Sequence, residues 1–416
     1  MARQPGPFRR TRGSEIDATS ILPGGLSPSD WRFVDTAPAF SEVLRRLADV
    51  ESYAIDTEFH REKTYYPHLA LVQIGWPGGI ALVDPLAVDV APLAEIFSGD
   101  ALAVVHAADQ DLEVLERACG AVPKKMFDTQ VSAGFLGYVS ASLVSLVEAL
   151  LGVRLQKGDQ LADWMQRPLT SSQQAYAAGD VAYLLDIRRI VSSRLVALGR
   201  ADWAEEECAV VLEKDRSATV PEEAWWKLPH SRQLRGAGRG VAQEVAAWRE
   251  RRAQRLDVPV RFVLSDLAVT CVAQRPPANR DELRRTRGVD ARHLSGSVPD
   301  ELLAAIAAGR SLSSSAVRTP PGQGLERLNR PMIALASAYV GQRAADLELD
   351  PAILATRADL LGFFQDEPVG RLTSGWRHAL IGASLERLAR GGAALAFDGQ
   401  GELVLEERSG KTIDEA

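Results

Sequence analysis

Two carboxylates, Asp56 and Glu58, interrupt an otherwise apolar stretch of the sequence YAIDTEFHREKTYYPHLALVQIG, residues 53–75. A buried ionised carboxylate is costly without a cation, a hydrogen-bond set or a metal, so an acidic pair there asks for a partner. Strand side chains alternate between faces, which points Asp56 and Glu58 one way and Thr57 the other. The alternative is an exposed strand end with both acids solvated. Asp111, in HAADQDLEV, opens a helix directly after the run ALAVVHAA and so sits at the edge of a sheet, with Asp109 beside it as an N-cap candidate. LTSSQQAYAAGDVAYLLDI reads as a helix opened by a capping box, Thr170 with Gln173, and it carries Tyr176 and Asp180 one turn apart on one face. Four carboxylates from three segments, with a phenol, form the donor set of two hard divalent cations, Mg2+ or Mn2+. Such a pair of ions stabilises the attacking and leaving oxygens of an in-line phosphoryl displacement. Asp56, central in the sheet, is the candidate to bridge both.

The elements that must position these groups alternate between short apolar runs and helical patterns from Trp31 to about Val196. YAIDTEF, LALVQIG, IALVDP and ALAVVHAA read as strands, the first three as an antiparallel meander. DQDLEVLERACG and everything from about Thr129 onward read as helices. Strands first and helices after predict an α/β domain, a mixed sheet covered by helices, over residues 30–214 including a linker helix near 200–214. Residues 1–29, rich in Pro, Gly, Ser and Arg without periodicity, are expected to be a disordered tail. Two helical blocks follow, 222–310 and 325–408, joined by a Ser, Pro and Gly linker over 311–324. RAQRLDV at 252–258 and RAADLEL at 343–349 share a pattern, and each precedes an Asp-Leu pair, Asp266 with Leu267 and Asp359 with Leu360. A long period seen twice predicts a duplicated small helical domain rather than a solenoid.

Composition sets the bounds. The chain has 416 residues, 46% hydrophobic and 25% charged, which suits a multidomain globular protein. No apolar run approaches a membrane span and the start lacks a signal-peptide core, so the expected location is the cytoplasm, with no membrane partner. The three cysteines form no CxxC, which signals neither a disulfide framework nor a zinc site. The net charge of −7 gives no global attraction to nucleic acid, but it counts carboxylates that bound metal would neutralise, so it does not exclude a nuclease.

The order Asp-x-Glu, His-Ala-x-x-x-Asp and Tyr-x-x-x-Asp resembles the DEDD exonucleases in their tyrosine-bearing branch. DTEF followed by TYYPHLALVQIG, then HAADQDLEV, QLADWMQRPLT and YAAGDVAYLL, narrows the resemblance to the ribonuclease D family. It implies a ribonuclease H-like exonuclease domain followed by two small all-α HRDC-like domains, the first match being the stronger. It also implies roles: Asp56 bridging two ions, Glu58 and Asp180 completing the hydrolytic metal's shell, Asp111 supporting the second ion, and Tyr176 with Glu58 orienting the attacking water. The implied activity is removal of 5' nucleoside monophosphates from RNA 3' ends, with tRNA precursors the expected substrates. A 3'-5' DNA exonuclease and a non-catalytic nucleic-acid adaptor stand as alternatives. Further substrate contacts are expected of His106, which could instead be a hydrogen-bonded structural histidine, and of Lys157 and Gln160, which could equally be a solvated loop. Tyr65, Tyr66 and Pro67 read as packing and turn residues, with base stacking the alternative, and Trp164 reads as core rather than ligand. Between Lys227 and Asp257 basic residues outnumber acidic ones, and Arg251 and Arg255, one turn apart, form a candidate phosphate surface or else a helix face laced by ion pairs.

Overall fold

The computed structural model describes residues 31–155, 161–319, 330–365 and 370–408, so the expected tail and residues 320–324 of the expected linker lie outside it. The chain divides into two units, one built from residues up to Glu58 with Leu69–Glu213, the other from Phe59–His68 with the residues from Lys214 on. No helix among the described residues is long and apolar enough to cross a membrane.

The first unit is organised on a sheet of β1 (Trp31–Val34), β2 (Ser52–His60), β3 (His68–Trp76), β4 (Gly79–Val83), β5 (Leu102–Val105) and β6 (Met126–Asp128), in the order β1-β4-β3-β2-β5-β6. β3 and β4 are antiparallel, while β1 with β4, β2 with β5 and β5 with β6 are parallel. The sheet is therefore mixed, as expected; the short edge strands β1 and β6 are the additions. Its helices are α1 (Ala37–Ala48), α2 (Leu93–Ser98), α3 (Asp109–Cys119), α4 (Thr129–Gly134), α5 (Leu143–Leu151), α6 (Ser171–Ala182), α7 (Leu184–Ala197) and α8 (Ala201–Glu213).

The alternation along β2 decides where the acids go. Tyr53 and Ile55 bury themselves with Val43 and Leu47 of α1 and Leu112 and Leu115 of α3. Ala54 packs on the opposite face with Leu71, Leu82 and the α6 residues Ala177, Ala178 and Val181. The next residues on that second face are Asp56 and Glu58, while Thr57 is buried with the first face. On β3, a Cβ added to Gly75 would lie 3.3 Å from the carbonyl oxygen of Val181, so glycine lets α6 lie close to the sheet.

The second unit contains α9 (Ala237–Leu256), α10 (Val260–Val263), α11 (Asp266–Gln274), α12 (Arg280–Arg284) and α13 (Val298–Ser311). After these come α14 (Arg330–Asp346), α15 (Pro351–Leu354), α16 (Arg357–Phe363), α17 (Gly375–Arg377) and α18 (Ala383–Ala389). The sequence repeat is structural. Asp257 (φ 49°) after α9 and Glu348 (φ 52°) after α14 both take the left-handed conformation. Val260–Val263 and Pro351–Leu354 then form matching short helices, and Ser265 and Thr356 cap the helices that begin at Asp266 and Arg357. The Asp-Leu pairs fall out of this register, because Asp266 opens α11 whereas Asp359 lies inside the capping box of α16. The expectation of an all-helical second block is corrected at its end: β7 (Ala393–Phe397) and β8 (Leu403–Glu407) form an antiparallel hairpin. Its turn is built by the Asp398 carboxylate, which accepts from the backbone N–H groups of Gln400, Gly401 and Glu402.

Phe59–His68 folds with this helical unit although it continues directly from Glu58. The backbone N–H groups of Tyr65 and Tyr66 donate to Asp257 Oδ1 at 3.1 and 3.0 Å, and His68 Nε2 lies 2.7 Å from Asp257 Oδ2. The Tyr65 hydroxyl donates to Glu250 Oε1 at 2.6 Å and accepts from Gln254 Nε2 at 3.0 Å. Tyr65 and Tyr66 are thus packing and turn residues with a defined partner, one helix end.

Candidate active site

Carboxylate oxygens of Asp56, Glu58 and Asp180 lie within 4.8 Å of one another. Two come from one face of β2 and the third from α6, which the Thr170–Gln173 capping box starts in the predicted register. Tyr176 shares the Asp180 face of α6 one turn earlier, and its ring lies 6.0 Å from that of buried Trp164. Asp111 stands in the first turn of α3, where its carboxylate accepts from the Thr57 hydroxyl. Thr57 thereby turns the opposite face of β2 to use, tying the fourth acid to the strand that carries the first two. Asp109 is also in that first turn and not at the N-cap, a place held by Ala108.

A residue that the sequence reading passed over sets the position of Asp111. The strand-to-helix junction before α3 passes through Ala107 in the left-handed region, φ 59°, which is unfavourable for a residue with a Cβ. Buried Asp128 holds it there by accepting from Ala107 N–H at 3.1 Å and Ala108 N–H at 2.9 Å, while it also caps α4 through Gln130 and Val131. Arg167, within the QLADWMQRPLT motif, does the corresponding work for α6. Its guanidinium grips the Asp84 carboxylate with Nε and NH2, both at 2.7 Å, and donates to the carbonyls of Ala70 and Trp164. Asp84 is buried, so Arg167→Met, which strands that charge, is expected to cost about 3–5 kcal/mol by chemical denaturation. A loss below about 1 kcal/mol would show the pair to be no stronger than an exposed one.

Each of the four acids sits among like charges. No ion pair joins any of the four acids to a described residue. Burial first, then repulsion from Asp180 and Asp111, pushes Glu58 up to about 9. Burial and Asp111 raise Asp180 to about 7. Burial raises Asp111 to about 6 against the opposing bond from Thr57. Asp56 lies well above the carboxylate range, through burial and then the charges of Asp111, Asp180 and Glu58. All-oxygen donors that repel one another in a half-buried site fit hard divalent cations, which would replace the protons.

The sign of the pH dependence follows. In the unfolded chain these carboxyls titrate near pH 4; in the folded, metal-free protein they hold protons to higher pH, so their contribution is complete at low pH and is lost as pH rises from about 4 to about 9. The melting temperature in EDTA is therefore expected to fall between about pH 6 and pH 9, and the increment on adding Mg2+ to grow over the same window. An increment independent of pH would contradict a site in which metal displaces protons.

The other expected contacts are distributed differently. His106 Nδ1 is 2.9 Å from Thr129 Oγ1, whose own proton goes to the Val105 carbonyl, and burial lowers the imidazole pKa. The contact ties the end of β5 to the start of α4. Lys157 and Gln160 lie outside the described residues. Arg251 is ion-paired with Glu222, and Arg255 is exposed.

With this geometry in place, the comparisons with known proteins are specific. Residues 31–195 match the 3'-5' exonuclease family and residues 239–306 the HRDC domain. Ribonuclease D of Acidiphilium cryptum is 34% identical over 377 residues, covering 88% of this chain and 95% of that protein. Ribonuclease D of Gluconacetobacter diazotrophicus is 34% identical over 373 residues, covering 88% and 94%. The crystal structure of Escherichia coli RNase D, described as an exoribonuclease involved in structured RNA processing, superposes with a TM-score of 0.76 at 30% identity, covering 87% of this chain and 99% of that one. The match runs through the acid cluster and on into the helical unit, and the chain belongs to the ribonuclease D family.

Proposed function

We propose that this chain is a metal-dependent 3'-5' exoribonuclease that releases 5' nucleoside monophosphates one at a time, acting in the 3' processing of structured RNA, tRNA precursors among them. The observation that carries this reading is the convergence of Asp56, Glu58 and Asp180 within 4.8 Å, with Asp111 tied to β2 by the Thr57 hydroxyl and Tyr176 on the same helix as Asp180. Two Mg2+ or Mn2+ ions would be held by these four acids, with Asp56 the central ligand. When bound, they supply positive charge for the phosphoryl oxygens and lower the pKa of a water.

The chain's own groups do the rest. The Tyr176 hydroxyl positions the attacking water, and the Glu58 carboxylate accepts its hydrogen bond and takes its proton toward the in-line approach. The high Glu58 pKa in the metal-free protein reflects burial first and then the charges of Asp180 and Asp111, and cations balancing those charges would leave the group ionised and able to accept the proton. No covalent nucleophile is required.

The test is digestion of matched RNA and DNA strands, labelled at either end, with Mg2+ or Mn2+. RNA labelled at the 3' end should release labelled mononucleotide at once, while 5'-labelled RNA shortens by single steps. Internal cuts, or DNA consumed as fast as RNA, would overturn the assignment, since RNA preference requires the 2'-hydroxyl to be sensed.

A further inference from the structure

Several arginines of the first helical domain are already neutralised by acids. Arg249 is buried against Asp266, Arg251 pairs with Glu222, Arg252 with Glu301 and Arg280 with Asp300. Three others, Arg275, Arg285 and Arg287, make no ion pair with a described residue and line one cleft of about 630 Å³ together with Cys271 and Thr286. The only acid in that lining is Glu282, whose carboxylate is engaged by the Ala278 N–H at 2.8 Å and the Asn279 side-chain amide at 3.1 Å.

The cleft has a fixed frame. Arg275 follows α11 with its N–H bonded to the Cys271 carbonyl at 3.0 Å. Arg285 and Arg287 leave the turn after α12, which is anchored by fully buried Leu283. Gly288 closes that turn at φ +86°, and a Cβ there would come within 3.0 Å of the Ala268 backbone nitrogen, so the turn lies directly on α11. Three guanidiniums presented from held backbone, with one acid already bonded, suit successive phosphates of a polyanion.

We propose that this cleft binds the phosphate backbone of the RNA substrate, at nucleotides other than the one being removed; the identity of the polyanion rests on the exoribonuclease reading above. This relocates the attractive surface of the domain from α9, where sequence counting placed it, to the α11–α12 edge.

Cys271 provides the probe, because it is partly exposed while Cys119 and Cys208 are buried. The parent protein and an Arg275→Gln, Arg285→Gln, Arg287→Gln triple variant are compared in EDTA with a single-stranded RNA of about 20 nucleotides. Each lost phosphate contact on a single strand removes about 0.7 from the slope of log affinity against log salt, so the triple variant should lose about two units of slope. RNA should also slow alkylation of Cys271 in the parent and not in the variant. With Mg2+, turnover of a trinucleotide should be the same in both proteins, and the Arg→Lys triple variant, which keeps the charge, should retain the slope. An unchanged slope with unchanged Cys271 alkylation would overturn the proposal. So would ATP or pyrophosphate shielding Cys271 as well as RNA does at equal phosphate concentration, which would assign the cleft to small phosphates. If the exoribonuclease reading itself were wrong, the trinucleotide would survive in the parent too, a result independent of the slope.

Discussion

Asp56→Asn is expected to silence the nuclease while making the metal-free protein more stable. The substitution keeps the shape of the side chain on β2 and removes its charge, so the strand, whose neighbours Tyr53, Ala54 and Ile55 are buried on both faces, has no reason to move. What is lost is the buried carboxylate whose charge is opposed by those of Asp111, Asp180 and Glu58. Turnover should fall by more than about a thousandfold, beyond the upper range for deleting one positioned donor, because a ligand and a charge disappear at once. In EDTA the same change relieves repulsion that burial amplifies, and the melting temperature should rise by on the order of a few degrees at alkaline pH. The two effects have opposite signs, which separates this outcome from simple misfolding. A variant that degrades 5'-labelled RNA at the parent rate would remove Asp56 from the site.

The acids were readable from sequence because each sits at a position that local periodicity defines. Period two along β2 puts Asp56 and Glu58 on one face, a turn of helix joins Tyr176 to Asp180, and Asp111 falls where a strand becomes a helix. What could not be read is the set of groups whose partners are remote in the chain. Asp128 looks like an ordinary helix cap until Ala107, about twenty positions earlier, is found in the left-handed conformation that it holds. Asp84 and Arg167 are separated by 83 positions, and Tyr65 and Glu250 by 185. The remote partners of α9 are a further case: Glu222, Asp266 and Glu301, which pair with Arg251, Arg249 and Arg252, lie outside the stretch from Lys227 to Asp257 whose charges are adjacent in sequence, while Arg255 stays exposed. The β7–β8 hairpin is a different case. Asp398-Gly399 between two apolar runs is a turn signal, and the alanine-rich run before it disguised the strand as helix.

Tyr176→Phe should separate water positioning from metal binding. The ring is partly buried on the α6 face, against Trp164, and phenylalanine preserves that packing, so neither α6 nor the place of Asp180 should shift. Only the hydroxyl is removed, and no carboxylate changes. The single-turnover rate is therefore expected to fall by about 100- to 1000-fold, the loss seen when one positioned hydrogen-bonding group leaves a reacting centre. The increase in melting temperature on adding Mg2+ should match that of the parent across pH, since the four carboxylates that would hold the cations, Asp56, Glu58, Asp111 and Asp180, are all unchanged. A lost Mg2+ increment would instead make the phenol part of the cation site. A rate that stays at the parent value would leave Glu58 as the sole group orienting the water.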